Sequence, residues 1–269
     1  MAYIFWIADI CIFAFFMVLS SLRAMMYPRV AKSVLKDFSK TSYLGTMVVA
    51  FETIILGIAS FYSHHQAAMY VAEVMYWIAA ASSIFVACVG IFFMYERQPQ
   101  HSFSDITGVW FLTFIPLIVE STVGGAIAPQ LAYKNSVTVL VTSFLMWSVG
   151  VGMSTIILPL YLWRLMSFQL PPREAITSTY IPVGPFGMGA YSIQQLAMVF
   201  ASHITKHRFF LGRTSHVPND EPTLATISEV LHWIGILVAL VQLGIASFLV
   251  VEACLSVFAK VPKKFNVGQ

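Results

Sequence analysis

The chain has 269 residues, of which 58% are hydrophobic and only 10% charged; its formal net charge is +3 and its mean hydropathy +0.79. Soluble domains run at roughly 45–50% apolar and about 25% charged, so a water-soluble globule is excluded. The small basic excess comes with no nucleic-acid motif, which excludes nucleic acid as a partner.

A hydrocarbon core of about 30 Å needs roughly 20 helical residues at about 1.5 Å rise each. Seven stretches without Lys or Arg meet that length, at residues 2–20, 42–63, 68–95, 107–130, 136–163, 176–203 and 225–259. They predict an all-α polytopic membrane protein, one transmembrane domain over residues 1–269. Barrel strands are excluded because each would be about ten alternating residues, not a long continuous apolar run. Short links, His64–Ala67 and Lys134–Asn135, make their neighbours antiparallel hairpins.

The first span opens Met1-Ala2-Tyr3-Ile4-Phe5-Trp6, with no basic n-region and no small-residue cleavage site, so it reads as a retained helix. Behind it come Arg23, Arg29, Lys32, Lys36 and Lys40. With that loop in the cytoplasm, eleven basic residues (these five, Arg97, Arg164, Arg173, Lys260, Lys263 and Lys264) lie inside and four outside, Lys134, Lys206, Arg208 and Arg213. The N-terminus is then outside and the C-terminus cytoplasmic, and the first basic cluster suits anionic lipid head groups.

The second span holds Gly45, Glu52, Thr53 and Gly57. The third is plain except for Glu73 near its outer end, and the fourth places Pro116 mid-span, followed by Glu120, Gly124 and Gly125. The fifth, from Ser136 to Trp163, has no charge. The sixth is the most irregular, with Pro182, Gly184, Pro185, Gly187 and Gly189. Interior prolines remove backbone donors, and the freed groups survive in a membrane only against protein or a watery cavity. This predicts a kinked, cavity-lining helix. Even-numbered spans are thus polar or helix-breaking and odd-numbered ones plain, a pattern of hairpins with one pore helix and one supporting helix.

An intramembrane carboxyl costs roughly 2.5–3.5 kcal/mol. Glu52 and Glu120 are therefore read as functional markers, or as neutral groups hydrogen-bonded to a neighbouring helix. Asp9, Glu73, Glu229 and Glu252 fall nearer span ends and read as interfacial. Cys11, Cys88 and Cys254 lie within spans, so no disulfide framework is implied. His203 and His207 are spaced i, i+4, with His216 beyond, but no further ligand has a fixed spacing, so no metal site is assigned. No nucleophile triad, P-loop or paired hydrolase carboxylates are present, so neither a cofactor nor an enzyme activity is assigned.

The run Pro182-Val183-Gly184-Pro185-Phe186-Gly187-Met188-Gly189-Ala190-Tyr191, with Tyr43-Leu44-Gly45-Thr46 and Ile115-Pro116-Leu117-Ile118-Val119, resembles the tellurite-resistance/dicarboxylate transporter family. Within it the likeness is to fungal sulfite efflux pumps, with malic acid permeases and plant slow anion channels as relatives. The resemblance implies ten helices in five hairpins, the inner ones lining a central anion pore. The seven spans correspond to family helices two to eight, which implies the outside N-terminus. The first, ninth and tenth family helices have no counterpart, so a truncated gene product or inactive paralogue is an alternative, and no gating residue is carried over.

The resemblance implies a small anion as substrate, membrane lipid as surroundings and a multi-pass protein of the plasma membrane; a homo-oligomer is kept as a partner. Sulfite efflux is the first expectation and C4-dicarboxylate (malate) transport the second. With no Lys or Arg in the spans, an anion would be attracted by backbone N–H groups and helix dipoles at Pro116, Pro182, Pro185 and their glycines. Glu52 and Glu120 would then be neutral or turned away from the path. A seven-helix receptor is the rival from another class. It lacks an extracellular cysteine pair and an Asn-Pro kink in the last span, and the absence of Lys from Ala225–Ala259 removes a retinal Schiff base.

Overall fold

Lipid offers no hydrogen-bond partners, so a spanning segment must satisfy its backbone internally, and the apolar runs become helices. In the computed structural model, which describes residues 2–27, 38–96, 102–207 and 221–260, these are α1 (Ala2–Met26), α2 (Leu44–Phe61), α3 (Gln66–Glu96), α4 (Ile115–Ile127), α5 (Tyr133–Phe168), α6 (Val183–His207) and α7 (Glu221–Ala259). A short helix, Phe38–Ser42, precedes α2, and 3-10 segments Phe103–Asp105, Gly108–Thr113, Ala128–Gln130 and Arg173–Tyr180 flank α4 and α6. No strand occurs among the described residues. Arg29, Lys32, Lys36, Arg97, Arg208, Arg213, His216, Lys263 and Lys264 lie outside them, as do the side chains of Lys206 and His207.

Among the described residues, five helices are long and apolar enough to cross a membrane: α1, α2 with the residues before it, α3, α5 and α7. The other two are the predicted fourth and sixth spans, and they differ for separate reasons. The fourth is not one helix over 107–130 but a 13-residue α-helix, roughly 20 Å long, with 3-10 turns at both ends. The sixth is long enough, yet its Ser, Gln and His residues dilute its apolar run.

Burial explains how so short a helix persists. Eleven of the 13 residues of α4 are buried, because it packs on α2, α3, α5 and α6. At the other extreme, α1 buries no residue and packs on α2, where Trp6 Nε1 donates to Ile54 O (3.2 Å) over Gly57. The protein therefore has an inner row, α2–α4–α6, and an outer layer, α3, α5 and α7. Between apolar helices in lipid, association rests on close packing, so small residues stand at the crossings. Gly124 meets Ser143, Gly150 meets Ile118, and Gly235 meets Ala197.

The prolines occupy places other than those expected. Pro116 stands in the first turn of α4, Pro182 precedes α6, and Pro185 is its third residue. The first turn has no intrahelical N–H partner to lose, and a fixed φ preorganises it. These residues therefore start helices instead of kinking them. Among the described residues, the proline that stands beyond a helix's first turn is Pro159 of α5, in a span read as plain.

Candidate functional site

Because α2, α4 and α6 each follow a returning outer helix, all three begin at the same end of the bundle. Their starts touch. A Cβ on Gly45 would stand 2.7 Å from Leu112 O and 3.2 Å from Pro116 Cγ, and one on Gly184 would lie 3.5 Å from Ile115 Cδ1. The two 3-10 approaches also meet, since a Cβ on Gly108 would be 2.0 Å from Ser178 O. Neither α2 nor α4 has a side-chain N-cap hydrogen bond. The Thr46 N–H of α2 donates to Tyr43 O (3.1 Å) and the Gly184 N–H of α6 to Ile181 O (3.1 Å), so what these starts present to an entering group is the positive end of each helix dipole.

Two cations brace this end. Arg164, 7% exposed, donates from Nε to Ser104 O (3.0 Å) and from Nη1 to Gln169 O (2.9 Å). Gln169 has a positive φ of 62°, a conformation costing about 1–3 kcal/mol outside glycine, so the guanidinium holds a strained turn. Lys260 Nζ donates to Leu170 O at 2.9 Å. Both charges, read as loop charges, clamp the α5–α6 connection.

Along the inner row the polar residues form separate groups. Glu52 of α2 and Glu120 of α4 are fully buried on two helices that pack together, and Tyr76 of α3 is buried against Gly124, one turn beyond Glu120. Ser83 Oγ donates to Glu52 Oε1 (2.7 Å). Tyr76 Oη lies 2.8 Å from Ser143 Oγ, and Gly124 sits under that pair. On another side of α4, the Ser121 and Ser192 hydroxyls bond α4 to α6.

Thr53 does not join Glu52. It points outward, donating to Asp9 Oδ2 (2.9 Å) and Ala50 O (2.8 Å). Asp9, expected at an interface, stands roughly 10 Å along α1, opposite the middle of α2.

In α6, Pro182, Pro185 and Gly189 are buried and Gly184 and Gly187 half-buried. Trp147 Nε1 donates to Gly189 O (2.9 Å). Gly187 faces open space in a groove between α6 and α7 lined by Tyr191, Gln194 and Leu240, with a volume of about 240 Å³. His203 turns inward, its Nε2 2.8 Å from Ser136 Oγ, which donates to Ala128 O.

The structure thus buries Glu52, Glu120 and Gly124 in the core, gathers Pro116, Pro182 and Gly184 at the helix starts, turns Thr53 toward α1 and leaves Gly187 in the groove between α6 and α7. Ser83, Tyr76, Ser143, Ser121 and Ser192 were not singled out from the sequence. An isolated hydroxyl in an apolar helix gives no local signal; only its partner on another helix distinguishes it.

The whole chain, residues 1–269, matches the protein family described as SLAC1, voltage-dependent anion channel. It is 31% identical over 204 residues to the sulfite efflux pump SSU1 of Arthroderma otae, an alignment covering 74% of this chain and 53% of that protein. The SSU1 pumps of Arthroderma benhamiae and Trichophyton rubrum are 31% and 30% identical over 203 residues, again covering 74% of this chain and 53% of each relative. The chain spans about half the length of these curated relatives. No solved structure matches.

Proposed function

Because the chain belongs to the SLAC1 voltage-dependent anion channel family, we propose that it moves small anions across a membrane, with sulfite efflux as its task. The observation that carries this reading is the convergence of three helix starts, two of them without side-chain caps, at one end of the inner row. A helix N-terminus favours an anion by roughly 0.3–1 kcal/mol, so three together offer about 1–3 kcal/mol. That is weaker than a millimolar site, which needs about 4 kcal/mol. An anion would be drawn in and still be able to leave, as conduction requires.

The sulfite assignment draws on the printed names of the relatives, and malate remains the second substrate. Neither name describes an enzyme. The loop charges support a cytoplasmic C-terminus, and export suits the plasma membrane.

The test is sulfite tolerance and anion flux in a host lacking its own sulfite pump. The chain should raise tolerance, and failure to give either tolerance or anion flux removes the transport reading. Two glycine variants sharpen the result. Gly187→Leu enters open space, so folded yield should hold while flux falls several-fold if the α6 face borders the path. At Gly189 a Cβ would stand 2.4 Å from Gln242 Oε1 and 2.8 Å from Val151 Cγ2, so Gly189→Leu should lose folded protein itself.

A further inference from the structure

Asp9 of α1 is a carboxylate that drawing an anion to the helix starts leaves unused. It faces α2, where Thr53 Oγ1 donates to its Oδ2 (2.9 Å). The pair stands at the lipid side of the bundle, since α1 buries no residue, Thr53 is exposed and Asp9 is only half-buried. A carboxylate in such a place is costly unless a cation or further donors reach it. The next charged residue of α1 is Arg23, roughly 21 Å along the helix. Among the described residues no cation pairs with Asp9.

The surroundings on either side of Asp9 specify what would complete it. Toward the start of α1, Tyr3 and Trp6 pack on Phe61 and Tyr62 at the end of α2, with ring centroids 5.3 to 6.0 Å apart. Trp and Tyr gather where lipid meets water, and their ring faces favour a cation. Asp9 lies about one helical turn inside that cluster. In the other direction a groove between α1 and α2 runs from Asp9 to Ser20, walled by Phe13, Phe16, Met17 and Met47, with a volume of about 280 Å³. Its length is roughly 16 Å. Phe13 stacked on Phe51 closes it toward the bundle.

We propose that this groove binds a single-chain lipid with an ammonium head group, the chemistry of a sphingoid long-chain base. The ammonium sits against Asp9 beside Trp6, and the alkyl chain lies along the groove toward Ser20. Charge selects the head, because an ammonium supplies both the missing cation and N–H donors beyond the one hydrogen bond that Thr53 gives. The order of aromatic cluster, carboxylate and apolar groove is also the order of such a lipid from water to bilayer. A phospholipid would bring its phosphate to the carboxylate and be repelled, and a sterol would bring a hydroxyl without charge. The site lies on the side of α2 that meets α1 and stands whether or not the chain moves anions.

The test is photo-cross-linking of the full chain in phosphatidylcholine vesicles, with a photoactivatable sphingosine as probe and peptide mapping as readout. Label should fall on residues 12–20 and 46–50, and unlabelled sphingosine should compete it away. Asp9→Asn keeps an acceptor for Thr53, so folded yield and Tm should hold while labelling falls by about fivefold or more, the loss of a charge-assisted hydrogen bond. Met47→Trp narrows the groove and leaves Asp9 and Thr53 in place, so it should lower labelling independently of the carboxylate. A photoactivatable fatty alcohol and a photoactivatable sterol should label the groove weakly, and equally in wild type and Asp9→Asn.

Label confined to other helices, or undiminished in Met47→Trp, would overturn the groove as the site. Undiminished label in folded Asp9→Asn, or alcohol or sterol labelling as strong as that by sphingosine, would overturn the selection of an ammonium head.

Discussion

Gly124→Val is expected to leave little folded protein. A Cβ at this position would stand 1.8 Å from Ser143 Oγ, 2.9 Å from Ser143 Cβ and 3.1 Å from Tyr76 Cε2. Ser143 cannot simply rotate away, because its hydroxyl is the 2.8 Å partner of the fully buried Tyr76. Nor can α4 shift, being enclosed by α2, α3, α5 and α6. Overpacking of this kind costs about 1–3 kcal/mol, and the broken hydrogen bond adds about 1 kcal/mol.

The check is the midpoint of unfolding in an SDS titration, with monodispersity in detergent beside it. Gly124→Ala should fall between wild type and valine, and adding Ser143→Gly should recover part of the loss. A wild-type midpoint for Gly124→Val would mean that α4 and α5 do not cross at this residue.

Gly108→Val should be as damaging for a different reason. Here the obstruction is backbone: Ser178 O at 2.0 Å and Ser178 C at 3.0 Å, with Pro182 Cδ at 3.3 Å. No rotamer change relieves it, so the 3-10 segments before α4 and α6 must separate, and the two helix starts move with them. A loss of about 3 kcal/mol or more is expected, with anion flux falling at least as far as folded yield. Even Gly108→Ala should be damaging, since the first added carbon already overlaps. Gly152, whose Cβ would meet nothing within 4 Å, supplies the control. Gly152→Ala should be neutral or stabilising by up to about 1 kcal/mol, because alanine is the better helix former. Flux measured per folded molecule separates damage to the path from damage to the fold.

The contrast between Gly187 and Gly189 shows where sequence reading ends. Two residues apart in one motif, they look equivalent in the chain. On the helix they face different surroundings, one an open groove and the other Gln242 and Val151. The same holds for Glu52 and Thr53, which are consecutive in sequence. One carboxyl enters the core beside Ser83, while the neighbouring hydroxyl turns out to Asp9. About 100° of helical rotation separates successive side chains, and only the neighbouring helices give those directions a meaning.

The prolines carry the same lesson at the level of backbone. A proline in an apolar run fits either a kinked helix or the first turn of a new one. Pro116 and Pro182 belong with helix starts because the chain before each winds as a 3-10 segment, and those two segments brace each other at Gly108 and Ser178.

By itself the sequence determined that this chain is helical and belongs in a membrane. Those properties follow from local quantities, namely the length of an apolar run, the rise per residue and the absence of charge. Tertiary structure alone decided that α4 is a short enclosed helix, that three helices start together, and that Glu52 and Glu120 are both fully buried. These depend on contacts between residues far apart in the chain, where burial by neighbouring helices, and not local composition, sets what each side chain touches.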